Sequence, residues 1–180
     1  MMVIEKDQEI LLNYRNSEEF VYGSREFRRQ FLVQMRGFFC ECSECSRAGE
    51  DLEENDLMRA EIWEKNREII QLEQELMKPQ SERSLRRRAL KKTMKLVQQR
   101  VTLIQKLNLR TAIVGAMIDF YKYARMAEIV EIPCANDPNI YKQEALKYAK
   151  MFGDNDLHCY NDGLYRHFAF FVEFGNLNKK

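Results

Sequence analysis

The segment Gly37-Phe38-Phe39-Cys40-Glu41-Cys42-Ser43-Glu44-Cys45 places three cysteines in a C-x-C-x-x-C pattern. Three thiols within six residues form a poor core but a good ligand set, because thiolates at this spacing can converge on one ion. Zinc prefers a tetrahedron of four ligands, with sulfur at about 2.3 Å. The segment therefore reads as most of a structural zinc site, a knot of Cys40, Cys42 and Cys45 that lacks one ligand.

Upstream of the knot, Ser24 is a suitable N-cap for a helix from Arg25 to about Arg36, with Phe27, Phe31, Leu32 and Met35 on one face. Gly37 ends that helix. Further back, the Lys6-Asp7-Gln8-Glu9 segment reads as a turn and Glu9 to Tyr14 as a buried strand.

Downstream, apolar residues recur at helical spacing. Leu57, Met58, Ile62, Trp63, Ile69, Ile70 and Leu76 predict a helix from about Leu52 to Met77. Pro79 and Ser81 break it and cap the next, about Glu82 to Leu107, with Leu85, Ala89, Leu96, Val97, Val101 and Ile104 inward. Further helices are expected near 111–129 and 138–152, the last starting at Asp137-Pro138 and stopping at Gly153-Asp154. The tail from Leu164 to Phe174 is aromatic-rich and fits strand or helix equally. The expected fold is mainly α: residues 1–48 form a small strand, helix and zinc-knot module, and 49–180 an antiparallel helical bundle or tetratricopeptide-like array.

The net charge of +1 conceals a strong asymmetry. Residues 41–77 carry 12 acidic and 4 basic side chains, whereas 78–110 carry 11 basic and 1 acidic. The run Arg83, Arg86, Arg87, Arg88, Lys91, Lys92 and Lys95 is spaced as a solvated helix face, and antiparallel packing would bring Glu61, Glu64 and Glu68 within reach of it. No aromatic side chain interleaves with these cations, so nucleic acid is not the expected partner. No apolar run reaches the roughly 18 residues of a membrane span, and the N-terminus lacks a signal-peptide layout. An intracellular, cytoplasmic or nuclear location is expected, where five cysteines suit metal better than disulfides. Phosphate-cradling Gly-rich loops, metalloprotease His pairs and nucleophile elbows are absent from the sequence.

The first 46 residues resemble the end of a SET domain and its post-SET zinc knot, closest to protein-lysine methyltransferases of the SET-and-MYND type. Glu5-Lys6-Asp7-Gln8-Glu9-Ile10-Leu11-Leu12-Asn13-Tyr14 looks like the family's G-E-E-L-x-x-x-Y strand, with Asp7 where glycine is usual. Ser24-Arg25-Glu26-Phe27-Arg28-Arg29-Gln30-Phe31-Leu32 resembles its S-x-E-x-R-R-x-x-L helix. Phe38 lies two residues before the first cysteine, as an aromatic does in the family, and the three cysteines follow in order.

The resemblance implies a role for each position. Tyr14 would be the catalytic-site tyrosine, orienting a neutral lysine amine for in-line methyl transfer. Phe38 would pack against the adenine of S-adenosylmethionine, the methyl donor of the full-length parent. Cys40, Cys42 and Cys45 would hold zinc. The family's upstream Asn-His-x-Cys-x-Pro-Asn segment, which supplies cofactor contacts and the fourth zinc ligand, does not occur in these 180 residues. The expectation is a C-terminal fragment of such an enzyme, inactive alone, whose helices contact a protein substrate or partner. Internal substitutes for the fourth ligand are Cys134, His158, Cys159 and His167. The competing class is a non-enzymatic helical scaffold that retains the knot.

Overall fold

The computed structural model describes residues 18–78, 82–133 and 137–151, together with Phe174. The expected strand at 9–14, with Tyr14, and all of the aromatic tail except Phe174 lie outside the described residues. Among those described there is no strand, and the chain is mainly helical: α1 (Glu18–Val21), α2 (Arg25–Arg36), α3 (Gly49–Leu76), α4 (Arg83–Lys106), α5 (Arg110–Ile129) and α6 (Pro138–Met151). None of these helices is long and apolar enough to cross a membrane. The described residues divide into two compact units, one up to Glu64 and the other from Lys65 onward.

In the first unit, local chemistry sets the helix ends. Gly23 makes the turn into α2 because a Cβ there would lie 2.5 Å from the Phe27 ring and 2.9 Å from the Glu19 carbonyl oxygen. Ser24 caps α2 as expected, its hydroxyl accepting the Phe27 N–H at 3.2 Å. Gly37 closes the helix in the left-handed region, φ 72°, and donates its N–H to the Val33 carbonyl. Phe31 packs on Phe20 of α1 at 5.3 Å between centroids. The expected inner face of α2 is only partly right. Leu32 is buried, but Phe27 is exposed and Met35 is 62% exposed, while Arg28 takes the buried position one turn before Leu32.

The same correction applies to α3, where Leu57 is 71% exposed and Trp63 and Ile70 also face outward. Its buried positions are Asn55, Arg59, Ile62, Asn66, Ile69 and Leu76. From Asn55 to Ile69 these recur at alternating intervals of four and three, and Leu76 follows seven residues on, the period of a single helical stripe. The stripe holds polar residues because each finds a partner on a neighbouring element.

In the second unit, α4 and α5 are antiparallel neighbours. Arg83, at the start of α4, pairs with the Glu131 carboxylate beyond the end of α5, and Arg100 meets Asp119 at 2.6 Å. Asn108 (φ 52°) and Glu131 (φ 57°) each follow a helix end in the left-handed region. At each, paired backbone bonds close the helix, Leu109 N–H to Ile104 and Ile132 N–H to Ala127. Val97, Ile104, Tyr123, Ala124 and Met126 fill the core, and Phe120 of α5 stacks on Tyr141 of α6 at 4.0 Å. Leu85, expected inward, is exposed, and Arg86 is buried in its place, donating to the Lys78 carbonyl.

The second half of α3 joins this unit through polar contacts. Glu68 pairs with Lys92, as the charge asymmetry anticipated for that glutamate. Asn66 accepts from Arg100 at 2.5 Å, and Glu73 accepts from both Lys122 (2.8 Å) and the Tyr123 hydroxyl (3.0 Å). Burial, followed by the charges of Asp119 and Glu73, pushes the Tyr123 hydroxyl well above the usual phenol range.

Candidate metal centre

The knot follows directly from the left-handed Gly37, which turns the chain off α2. Its backbone is a tight turn in which the Cys42 carbonyl accepts N–H groups from Cys45 (2.9 Å) and Ser46 (2.8 Å). The Ser46 hydroxyl donates back to the Glu41 carbonyl at 2.8 Å. This turn folds the three side chains toward each other, and the sulfurs of Cys40, Cys42 and Cys45 all lie within 4.8 Å of one another. Cys45 is buried, whereas Cys40 and Cys42 are half-buried, and none of the three is in a disulfide. Three thiols in this arrangement could hold one metal ion.

Flanking helices hold the turn. Arg29 of α2 donates to the Cys40 carbonyl at 3.3 Å and lays its guanidinium 4.2 Å from the centroid of the Phe39 ring. Glu44, between Cys42 and Cys45, accepts from Arg47 at 2.8 Å and from Arg59 of α3 at 3.1 Å, with Asn55 of α3 at 3.4 Å. Arg59 also donates to Asn55 (2.7 Å) and to the Val21 carbonyl. Arg25 bridges α2 to the knot by donating to the Arg47 carbonyl at 2.8 Å. Its backbone N–H is received by the Asp56 carboxylate of α3 at 2.9 Å.

The electrostatics divide the thiols. Burial raises the Cys42 thiol, but N–H groups of Cys45 and Glu44 and the neighbouring thiols outweigh it, so it ionises below its ordinary value. Burial, followed by negative charge on Cys42 and Cys40, pushes Cys45 up to about 12. Without a cation, ionisation is eased at Cys42 and opposed at Cys45. A metal ion reverses that balance, because it replaces repulsion among thiolates with attraction to a shared charge.

Of the residues singled out from sequence, the structure brings Cys40, Cys42 and Cys45 together. Phe38 is half-buried on the approach to the knot. Tyr14 and the four substitute ligands, Cys134, His158, Cys159 and His167, lie outside the described residues. Sequence reasoning overlooked Glu44, Asn55 and Arg59, the residues that fix the knot to α3. The signal was there, because Asn55, Arg59 and Ile62 follow the same four-then-three spacing as the buried positions. The chain matches no family model, no curated protein and no solved structure.

Proposed function

We propose that this chain is a C-terminal portion of a SET-type, S-adenosylmethionine-dependent protein-lysine methyltransferase, with a zinc ion held by Cys40, Cys42 and Cys45. The observation that carries the reading is the convergence of the three thiols directly after a helix capped at Ser24 and closed at Gly37. That is the order in which the resembling family places its helix and its knot. The donor set fits zinc: a tetrahedral ion with sulfurs at about 2.3 Å needs them about 3.8 Å apart, a small contraction from the 4.8 Å limit. Zinc here would be structural, locking the turn and the segment that carries Phe38.

Tyr14 is the residue assigned to catalysis, its hydroxyl positioning a neutral lysine amine, and Phe38 is assigned to adenine contact. S-adenosylmethionine supplies the electrophilic methyl group when bound by the complete enzyme. The Asn-His-x-Cys-x-Pro-Asn segment is not among these 180 residues, and methyl transfer is assigned to the complete enzyme. The helices from α3 onward are assigned to protein contacts.

A chimera tests the assignment. Residues 1–48 replace the matching segment of an active SET-and-MYND-type enzyme, and lysine methylation is measured. Activity that survives the exchange and disappears with Tyr14→Phe supports the reading. A folded, zinc-loaded chimera that transfers no methyl group overturns it.

A further inference from the structure

The start of α4 carries a groove of about 420 Å³ lined by Ser84, Arg87, Arg88 and Lys91. Spacings of three, four and seven residues bring these side chains to one side of the helix over two turns, about 10 Å. No carboxylate lines the groove. Three neighbouring cations of this helix are engaged: Lys92 with Glu68, Arg83 with the Glu131 carboxylate, and Arg86 with the Lys78 carbonyl. Arg87 donates to the Glu131 carbonyl at 3.1 Å, which fixes its guanidinium at the rim. Among the described residues, Arg88 and Lys91 have no hydrogen-bond or ion-pair partner.

This placement works against the helix by itself. The first turn of α4 has no acidic residue, and the Glu82 side chain at the N-cap makes no capping bond. Cations near a helix N-terminus oppose its dipole, and Arg87 and Lys91 repel one turn apart. A multiply charged anion in the groove would convert each of these costs into attraction.

We propose that the groove binds a phosphoryl group carried on a protein side chain, a phosphoserine or phosphothreonine of a partner segment. Three cations along one open groove suit a dianion with three acceptor oxygens better than a single carboxylate. Nucleic acid is the poorer occupant, because residues 83–95 contain no aromatic side chain to stack on bases. The proposal rests on the assignment of these helices to protein contact and is independent of the metal.

The test uses the full chain and a fluorescein-labelled Gly-Ser decapeptide with one central phosphoserine, compared with its serine and glutamate counterparts. Expected are saturable binding at low salt, amide shifts centred on Ser84 to Lys91, and affinity about ten-fold weaker for the glutamate peptide. Arg88→Glu with Lys91→Glu should abolish binding at unchanged helicity. Glu82 stands at the rim, where its carboxylate accepts from the Ser84 hydroxyl at 3.3 Å. Glu82→Gln should therefore tighten binding about two-fold, a change that a purely structural role would not produce. Equal binding of the three peptides overturns the proposal, as does tighter binding of oligothymidine of matched length or equal binding of inorganic phosphate. Metal titration of the same sample separates this outcome from a failure of the knot.

Discussion

The Glu44 carboxylate, one residue before Cys45, meets the buried guanidinium of Arg59 at 3.1 Å. The pair ties a turn that carries three thiols to a helix that begins four residues after the last of them. Such a turn has little apolar surface to bury, so charge and hydrogen bonds must fix it. Burial and the nearby charge of Arg28 lower Arg59 to about 10, against the opposing pull of Glu44. The arginine stays protonated at neutral pH and needs its carboxylate.

Glu44→Gln should therefore cost more than an ordinary surface pair. It leaves Arg59 buried beside Arg28 without its nearest counter-charge, and a loss of about 1–3 kcal/mol is expected, reduced by the partial exposure of Glu44. Urea unfolding measures it. Burial raises the Glu44 carboxyl, but Arg47 and then Arg59 outweigh it and hold it below the usual range. Its stabilisation is thus complete above the unfolded value of about 4.3 and is lost as pH falls through the lower folded value. The acid limb of the wild-type stability curve should flatten in Glu44→Gln. An unchanged limb would mean that the pair holds nothing in solution.

Gly37→Ala isolates the backbone requirement. Nothing lies within 4 Å of the Cβ that would be added, so any cost arises from φ 72° alone. A destabilisation of about 1 kcal/mol is expected, with Gly37→Asn milder because asparagine tolerates this region. A neutral alanine variant would show that the exit from α2 does not need the left-handed turn.

Glu73 serves two buried donors at once, Lys122 and Tyr123. Glu73→Ala removes the carboxylate that pairs with the buried Lys122 ammonium, and about 2–4 kcal/mol should be lost, whereas Tyr123→Phe removes one bond and should cost about 1 kcal/mol. Because Tyr123 titrates above its normal value, the stability it confers is present below about pH 10 and declines as pH rises toward the folded value. Thermal unfolding of both variants at pH 7 and pH 10 checks the ordering. Equal losses would place the stabilisation in packing rather than in the carboxylate.

The legible parts of the sequence were those with local causes. Ser24 and Gly37 act on their own backbone, and the α3 to α6 limits fall within a few residues of the apolar periodicity. The orientation of the helices is harder to read, because apolar residues do not by themselves mark the inner face. In α2, α3 and α4 that face holds Arg28, Arg59, Asn66, Arg86 and Arg100, and Met35, Leu57 and Leu85 point outward. A guanidinium is buried only where a partner on another element accepts its protons, so no window of one helix reveals it. The knot was legible as three ligands because its spacing is local, but its anchorage at Glu44 and Arg59 spans 15 residues.

Metal binding should be coupled to proton release. With Cys45 pushed up to about 12, that thiol keeps its proton at neutral pH when no metal is bound. A zinc ion takes the thiolate form of its ligands, so at least the Cys45 proton should leave per ion bound, and affinity should rise with pH. Calorimetry in two buffers of different ionisation enthalpy counts those protons directly. Cys42→Ser removes a thiolate that cannot be replaced, and it should lose tight zinc and the thermal stabilisation that zinc provides. If wild type and Cys42→Ser take up the same metal with the same proton count, the ion is bound elsewhere and the knot is an unliganded turn.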